Sequence, residues 1–264
     1  MKKQRKILMF SNIILTSLLG ALLFSCTAQA EGSHLGITRL AVHLNNKTIT
    51  QPIYLTNKSE NKKLAFKVKL ADWARNNGED IVTDIDNQKT PSSLIVTPVT
   101  GQLLPSQKQA IRVALKKYSS PNKEVLYRLF VEEIPALSPS AFLDNKKNKP
   151  SAVTITTRVS LPVYIYPINA NAKLDWRINK TAKGVHVKLN NSGNAHIEIN
   201  SVDVISEDAA APLAKQDMDV RIYAKEGAEF DVAIPSSKMG KNMKLRLSLG
   251  NGEFVKVTNN EMKI

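Results

Sequence analysis

An all-β chain of two antiparallel sandwich domains is what the sequence predicts, on three observations. In residues 151–167, SAVTITTRVSLPVYIYP, the side chains of Val153, Ile155, Val159, Leu161, Val163 and Ile165 occupy every second position. Thr157 fills the gap, which gives the period of a strand with one apolar or β-branched face. After the first 30 residues no stretch keeps a helical period, and turn residues recur at intervals of about 8–12 residues. A length of 264 residues is enough for two β domains of about 100–130 residues, each able to bury its own core.

Residues 1–30 are set apart from this fold. Lys2, Lys3, Arg5 and Lys6 precede an apolar run from Ile7 to Phe24, and Ala28-Gln29-Ala30 follows as a small-residue cleavage site. The three parts predict a removed secretory signal peptide. A membrane anchor is the other reading of the run, weakened by Ser11, Asn12, Thr16 and Ser17. Leu23-Phe24-Ser25-Cys26 loosely resembles a lipoprotein processing box, so lipidation of Cys26 stands as a second route. Cleavage after Ala30 leaves a mature chain without cysteine, whose stability rests on packing rather than on disulfides. The net charge of +14 includes the four basic residues of the leader, leaving +10 for the rest, scattered as a solvated basic surface rather than gathered into a nucleic-acid patch.

The first domain, 31–167, begins with a strand over Leu35–Leu44, LGITRLAVHL, whose pattern shifts near Leu40 and which carries Arg39 among apolar residues. A second strand covers Thr48–Asn57, with Pro52 marking an edge or bulge. Leu64, Phe66, Val68 and Leu70 alternate with Lys67 and Lys69, and Trp73 closes that strand as a core or rim anchor. Asn76-Asn77-Gly78 is a turn and 87–93 a loop. Strands at Leu94–Val99, Gln109–Leu115 and Glu124–Ile134 follow, then a polar loop between Pro135 and Ser151 too long for a tight hairpin. The 151–167 strand ends at Pro167.

Residues 168–173 are the expected linker and 168–264 the second domain, with shorter strands at Leu174–Ile178, Val185–Leu189, Ile197–Ile205, Val220–Tyr223, Phe230–Ile234, Lys244–Leu249 and Phe254–Val257. Asn190-Asn191-Ser192-Gly193-Asn194 reads as a plain turn.

Catalytic chemistry finds no support. His34, His43, His186 and His196 lack metal-ligand spacing, so no metal or other cofactor is expected. There is no phosphate loop, nucleophile elbow or Walker lysine, and Glu132 and Glu133, adjacent on a strand, face opposite ways. What remains is a set of arginines on strands beside apolar faces, Arg39, Arg112, Arg128 and Arg158. A guanidinium can receive a carboxylate through two parallel hydrogen bonds, and a peptide paired along an exposed strand would be fixed in register by such an anchor. For Arg112 the preferred reading is a structural ion pair with Glu124 on the next strand.

TRLAVHL, LTNKS, QLLPSQKQAIRVAL, LYRLFVEEIP and VSLPVYIYP, with VKLNNSGNAHIEI in the second half, resemble the periplasmic pilus-assembly chaperones of the chaperone–usher pathway. SLPVYIYP and HIEI are closer to the archaic, spore-coat-U-like branch than to the Pap-type branch. The resemblance covers about residues 33–260 in order. It implies two immunoglobulin-like β-sandwiches set at an angle, no enzymatic activity, pilus subunits and an outer-membrane usher as partners, and a periplasmic location.

It further implies that Val153, Ile155, Thr157, Val159 and Leu161 are donated to an incomplete subunit, the same positions that the alternation singles out. Arg39 matches the family's first-strand anchor for the subunit's C-terminus. The partner lysine of Pap-type members falls on Pro162, so the carboxylate would be held differently, by Arg39 with Arg112, Arg128 or Arg158. An unoccupied apolar strand predicts self-association or shielding of the free protein. The alternative reading is a surface-anchored immunoglobulin-like lipoprotein that binds a protein or glycan.

Overall fold

The computed structural model describes residues 34–76, 78–84, 93–135, 156–206, 211–235, 237 and 243–250, with 254–257 as backbone. The leader with Cys26, the loop before Ser151, and Val153 and Ile155 lie outside the described residues.

Two sheets form the first sandwich. One has the order β1 (Leu35–Ile37), β3 (Thr50–Asn57), β8 (Lys108–Leu115), β6 (Leu94–Thr97). The other runs β2 (Val42–Leu44), β10 (Arg158–Ile165), β9 (Val125–Ile134), β4 (Leu64–Asn76), β5 (Glu79–Asp84), with β7 (Thr100–Leu103) also paired to β4. The predicted single strand Leu35–Leu44 is therefore two strands in different sheets. Its change of pattern near Leu40 is the crossover, where residues 38–41 leave β1 and enter β2. Pro52 pairs only with Arg112 of β8, because β1 covers β3 no further than Leu55, so the missing N–H faces an open edge.

The core between these sheets is filled by alternate residues: Leu44, Ile53, Leu55, Phe66, Ile111, Leu129, Leu161 and Val163 are all buried. β5 carries no buried residue and β7 is short, which is why neither has a hydrophobic period to betray it. β5 is held by its register with β4, including Arg75 opposite Asp80. Gly101 of β7 lies under the Phe66 ring, where a Cβ would come within 2.6 Å of it.

The second sandwich packs β11 (Leu174–Thr181), β12 (Gly184–Asn191) and β15 (Gly227–Ala233) against β14 (Ala214–Ile222), β13 (Ile197–Ser206), β16 (Met243–Leu249) and β17 (Phe254–Val257). Trp176, Ile178, Val187, Leu189, Val202, Val204, Leu245 and Leu247 fill it. All seven predicted strands of this half are present, most of them longer than the apolar runs that announced them, because pairing extends them into polar positions.

Strand β10 shows where pairing stops. On one side it pairs with β9 over its whole length, from Arg158 opposite Glu132 to Ile165 opposite Val125. On the other side β2 covers only Val163–Ile165, in the single parallel pair among the described strands. Among the described residues, 158–162 thus have an open edge. Glu133 N–H donates to the Thr157 carbonyl at 2.8 Å, so in the alternation of an antiparallel ladder Thr157, Val159 and Leu161 bond to β9. Arg158 and Ser160 turn their N–H and C=O groups to the open edge, and Pro162 offers no donor there. The Tyr166 N–H bond to the Leu44 carbonyl, 2.9 Å, confirms that even-numbered residues face the β2 side.

Candidate functional site

The sheet that contains β10 has a second face, and the sequence places large residues on it out of phase with the core. In β4 the core face is Leu64, Phe66 and Val68, whereas Ala71 and Trp73 fall on the other phase and are nevertheless buried. In β10 Tyr164 alternates with Val163 and Ile165 and is fully buried. What covers them is the second sandwich: Trp73, Tyr164 and Tyr223 form one cluster with Leu126 and Tyr166 packed against it. The Trp73 and Tyr223 rings meet edge to face at 5.3 Å, a favoured aromatic geometry.

Polar groups lock this seam. Glu124, buried just before β9, lies 2.6 Å from His196 Nδ1 and accepts a bond from the Ala224 N–H at 3.3 Å. The predicted Arg112–Glu124 ion pair is thus not formed: Arg112 is exposed on β8, in the opposite sheet, and Glu124 turns to the second sandwich instead. The supposed plain turn 190–194 positions His196. Asn191 is buried, donating to the carbonyls of Ala195 and Ile222 and accepting from the N–H groups of Lys173 and Gly193. Only glycine fits at 193, where a Cβ would sit 2.2 Å from the Asn171 carbonyl. Arg75, at the end of β4, reaches Glu226 with Nε at 2.9 Å, also pairs with Asp80, and stacks 4.4 Å over Tyr223.

Beside the seam is a cleft of about 730 Å³, walled by Leu40, Ala41, His43, Arg128, Pro162 and Tyr166 from the first sandwich and His196, Glu198, Arg221, Leu249 and Gly250 from the second. Arg128 lies 3.7 Å over the Trp73 ring and 3.3 Å from Asp80. His43 stacks against Tyr164 and Tyr166, and its Nδ1 is 2.9 Å from the Tyr166 hydroxyl. Enclosure of its ring, then the neighbouring His196 and the positive field that includes Arg39, hold His43 below the usual imidazole range. Burial pushes the Tyr164 and Tyr166 hydroxyls up, so both stay protonated. Burial opposes the charge on Arg221, but bonds to Tyr223 and Glu198 raise its pKa and keep it a cation.

The four candidate arginines are therefore dispersed. Arg128 lines the cleft, and Arg39 sits exposed on the crossover beside Leu40 and close enough to act on His43. Arg158 lies 4.0 Å over Phe130 with Nε 3.2 Å from Glu132, and Arg112 belongs to the other sheet. Of the alternating residues, Thr157 precedes the strand, Val159 is half-buried against the core, and Leu161 is fully buried in its own sandwich. Leu161 is thus a core residue of this chain rather than a free side chain. Arg221, Glu198, His43 and His196 of the cleft were missed by sequence reasoning. The Tyr164 and Tyr166 pair, aromatic on the supposedly outward phase, is the trace of a covered face that the sequence did contain.

The sequence matches the family described as "Pili and flagellar-assembly chaperone, PapD N-terminal domain" over residues 34–171, more than half the chain. No curated protein matches. Among solved structures, the class 5 fimbriae chaperone CfaA is similar at TM-score 0.57 and 18% identity, over 86% of this chain and 95% of that one. A chaperone–tip adhesin complex of CFA/I fimbriae biogenesis gives 0.56 and 18%, over 85% and 98%. The CsuC–CsuE pre-assembly complex from the archaic Csu pili of Acinetobacter baumannii gives 0.54 and 15%, over 85% and 98%. These neighbours share the two-sandwich Pap-type fold. With that fold and the match across the first sandwich, the chain belongs to the pili and flagellar-assembly chaperones, a family of assembly proteins and not of enzymes.

Proposed function

We propose that the protein is a periplasmic chaperone that holds pilus subunits by donor-strand complementation and passes them to an outer-membrane usher. The open edge of β10 at residues 158–162 carries this reading. A subunit strand added there gains backbone bonds from Arg158 and Ser160, and Pro162 ends the ladder where β2 takes over the edge. Val153, Ile155, Thr157 and Val159 fill the subunit's groove, while Leu161 stays in its own core as the anchor of the strand. Each fully buried aliphatic side chain contributes about 1.5–3 kcal/mol, enough over three of them to retain an unfinished subunit. Arg39, exposed on the crossover, receives the subunit's terminal carboxylate. The pre-assembly complex of CsuC and CsuE supports the reading by likeness of fold.

The test is to express the chain with its own leader in its native cell, purify it from the periplasm and identify its companions by mass spectrometry. A near-stoichiometric small β-rich subunit is expected, and its loss on Ile155→Asp. Recovery of the chain alone from cells that make such subunits contradicts the proposal.

A further inference from the structure

Resting on that reading, we propose that Arg221 is the cleft's second cationic anchor, and that Glu198 is a built-in stand-in for the subunit's carboxylate which releases Arg221 when a subunit seats. Arg128, on the facing wall, is already committed to Asp80 and to the Trp73 ring, and Pro162 opposite it in the ladder brings no charge. Arg221 enters the same cleft from the second sandwich.

Glu198 and Arg221 are direct partners across β13 and β14. Besides its bond to Tyr223, Arg221 does not engage Glu198 through both carboxylate oxygens. Nε, at 2.8 Å, and Nη2 both donate to Oε1 of Glu198, so the fork is spent on one oxygen rather than matched to two. The other oxygen, Oε2, lies against Gly250, where a Cβ would come within 2.7 Å of it. The absence of a side chain at 250 is what leaves room for this carboxylate. The two side chains keep 32% and 41% exposure, so partner exchange requires no unpacking of the sandwich. A terminal carboxylate entering the cleft can take both arms of the fork, which Glu198 does not.

Isothermal titration with two probes tests this: a short N-acetylated peptide of alternating valine and threonine with a free C-terminal carboxylate, and its C-terminal amide. The native protein binds the acid more tightly than the amide. Arg221→Met narrows that preference, a loss of about fivefold to tenfold for the acid with the amide unchanged. Glu198→Gln strengthens acid binding about two- to fivefold and leaves the amide unchanged, the range expected for removing a half-exposed ionic competitor. If Arg221→Met does not fold, Arg221→Lys, which keeps the charge without the fork, is read for the same loss.

Acid affinity unmoved by substitution of Arg221, or unmoved by Glu198→Gln, overturns the proposal and leaves the pair a plain cross-strand contact. Equal binding of acid and amide by the native protein overturns it too, with strand pairing intact. If neither probe binds, the strand-pairing reading falls and takes this one with it.

Discussion

His196 Nδ1 lies 2.6 Å from the Glu124 carboxylate, with the two side chains only 6% and 2% exposed, at the seam of the two sandwiches. A contact so buried is sensitive to loss of either partner, because the group left behind has no water to turn to. Glu124→Ala strands both His196 and the Ala224 N–H and destabilises the protein by about 3 kcal/mol, measured by urea unfolding. Arg112→Ala, at the exposed position once paired with Glu124 on sequence grounds, leaves the midpoint unchanged within about 0.5 kcal/mol.

Leu161 and Val159 are two positions apart on one face of β10 but do different work. Leu161→Ala opens a cavity in the first sandwich and costs about 2–5 kcal/mol of stability. Val159→Asp, at the half-buried end of the strand, leaves a folded protein that no longer retains a subunit. Thermal unfolding and co-purification of a subunit, run on both variants, separate the two roles.

Arg39→Ala lowers subunit affinity by about tenfold without lowering Tm, since the residue is exposed on the crossover. Arg112→Ala leaves affinity unchanged, because it sits on the other sheet. Titration of both variants with a purified subunit checks the contrast.

The histidines set the acid response. His43 has a folded-state pKa below its unfolded value of about 6.5, so its stabilising contribution is complete above that pH and is lost as pH falls through and below it. His186 is the reverse case: its bond to Asp231, with Glu229 beside it, raises its pKa, so its contribution is present below about pH 6.5 and fades as pH rises. His43→Gln therefore flattens the fall in Tm between about pH 7 and 5, and His186→Gln steepens it.

Much of the fold was legible because buried faces announce themselves by period. The alternations at Leu64–Leu70, Val125–Val131 and Val159–Ile165 each became a core-facing strand. β5 was not legible, since EDIVTD has no buried side and is held by register and by the pairs of Asp80 with Arg75 and Arg128. The site was legible in part. Arg128 was a candidate from its place on a strand beside apolar residues, but the Glu124–His196 contact joins residues 72 apart on different sandwiches, and no local pattern could pair them. Arg112 was the plausible partner in sequence and lies on the wrong sheet.

Hydrogen exchange of the β10 edge amides tests the central claim most directly. In the free protein the Arg158 and Ser160 N–H groups face an open edge and exchange fast, while Val159 and Leu161, bonded to β9, exchange slowly. In the complex purified with a subunit, Arg158 and Ser160 become as protected as their neighbours, as strand addition requires. Unchanged exchange at both residues in a stoichiometric complex would show that the subunit is held elsewhere.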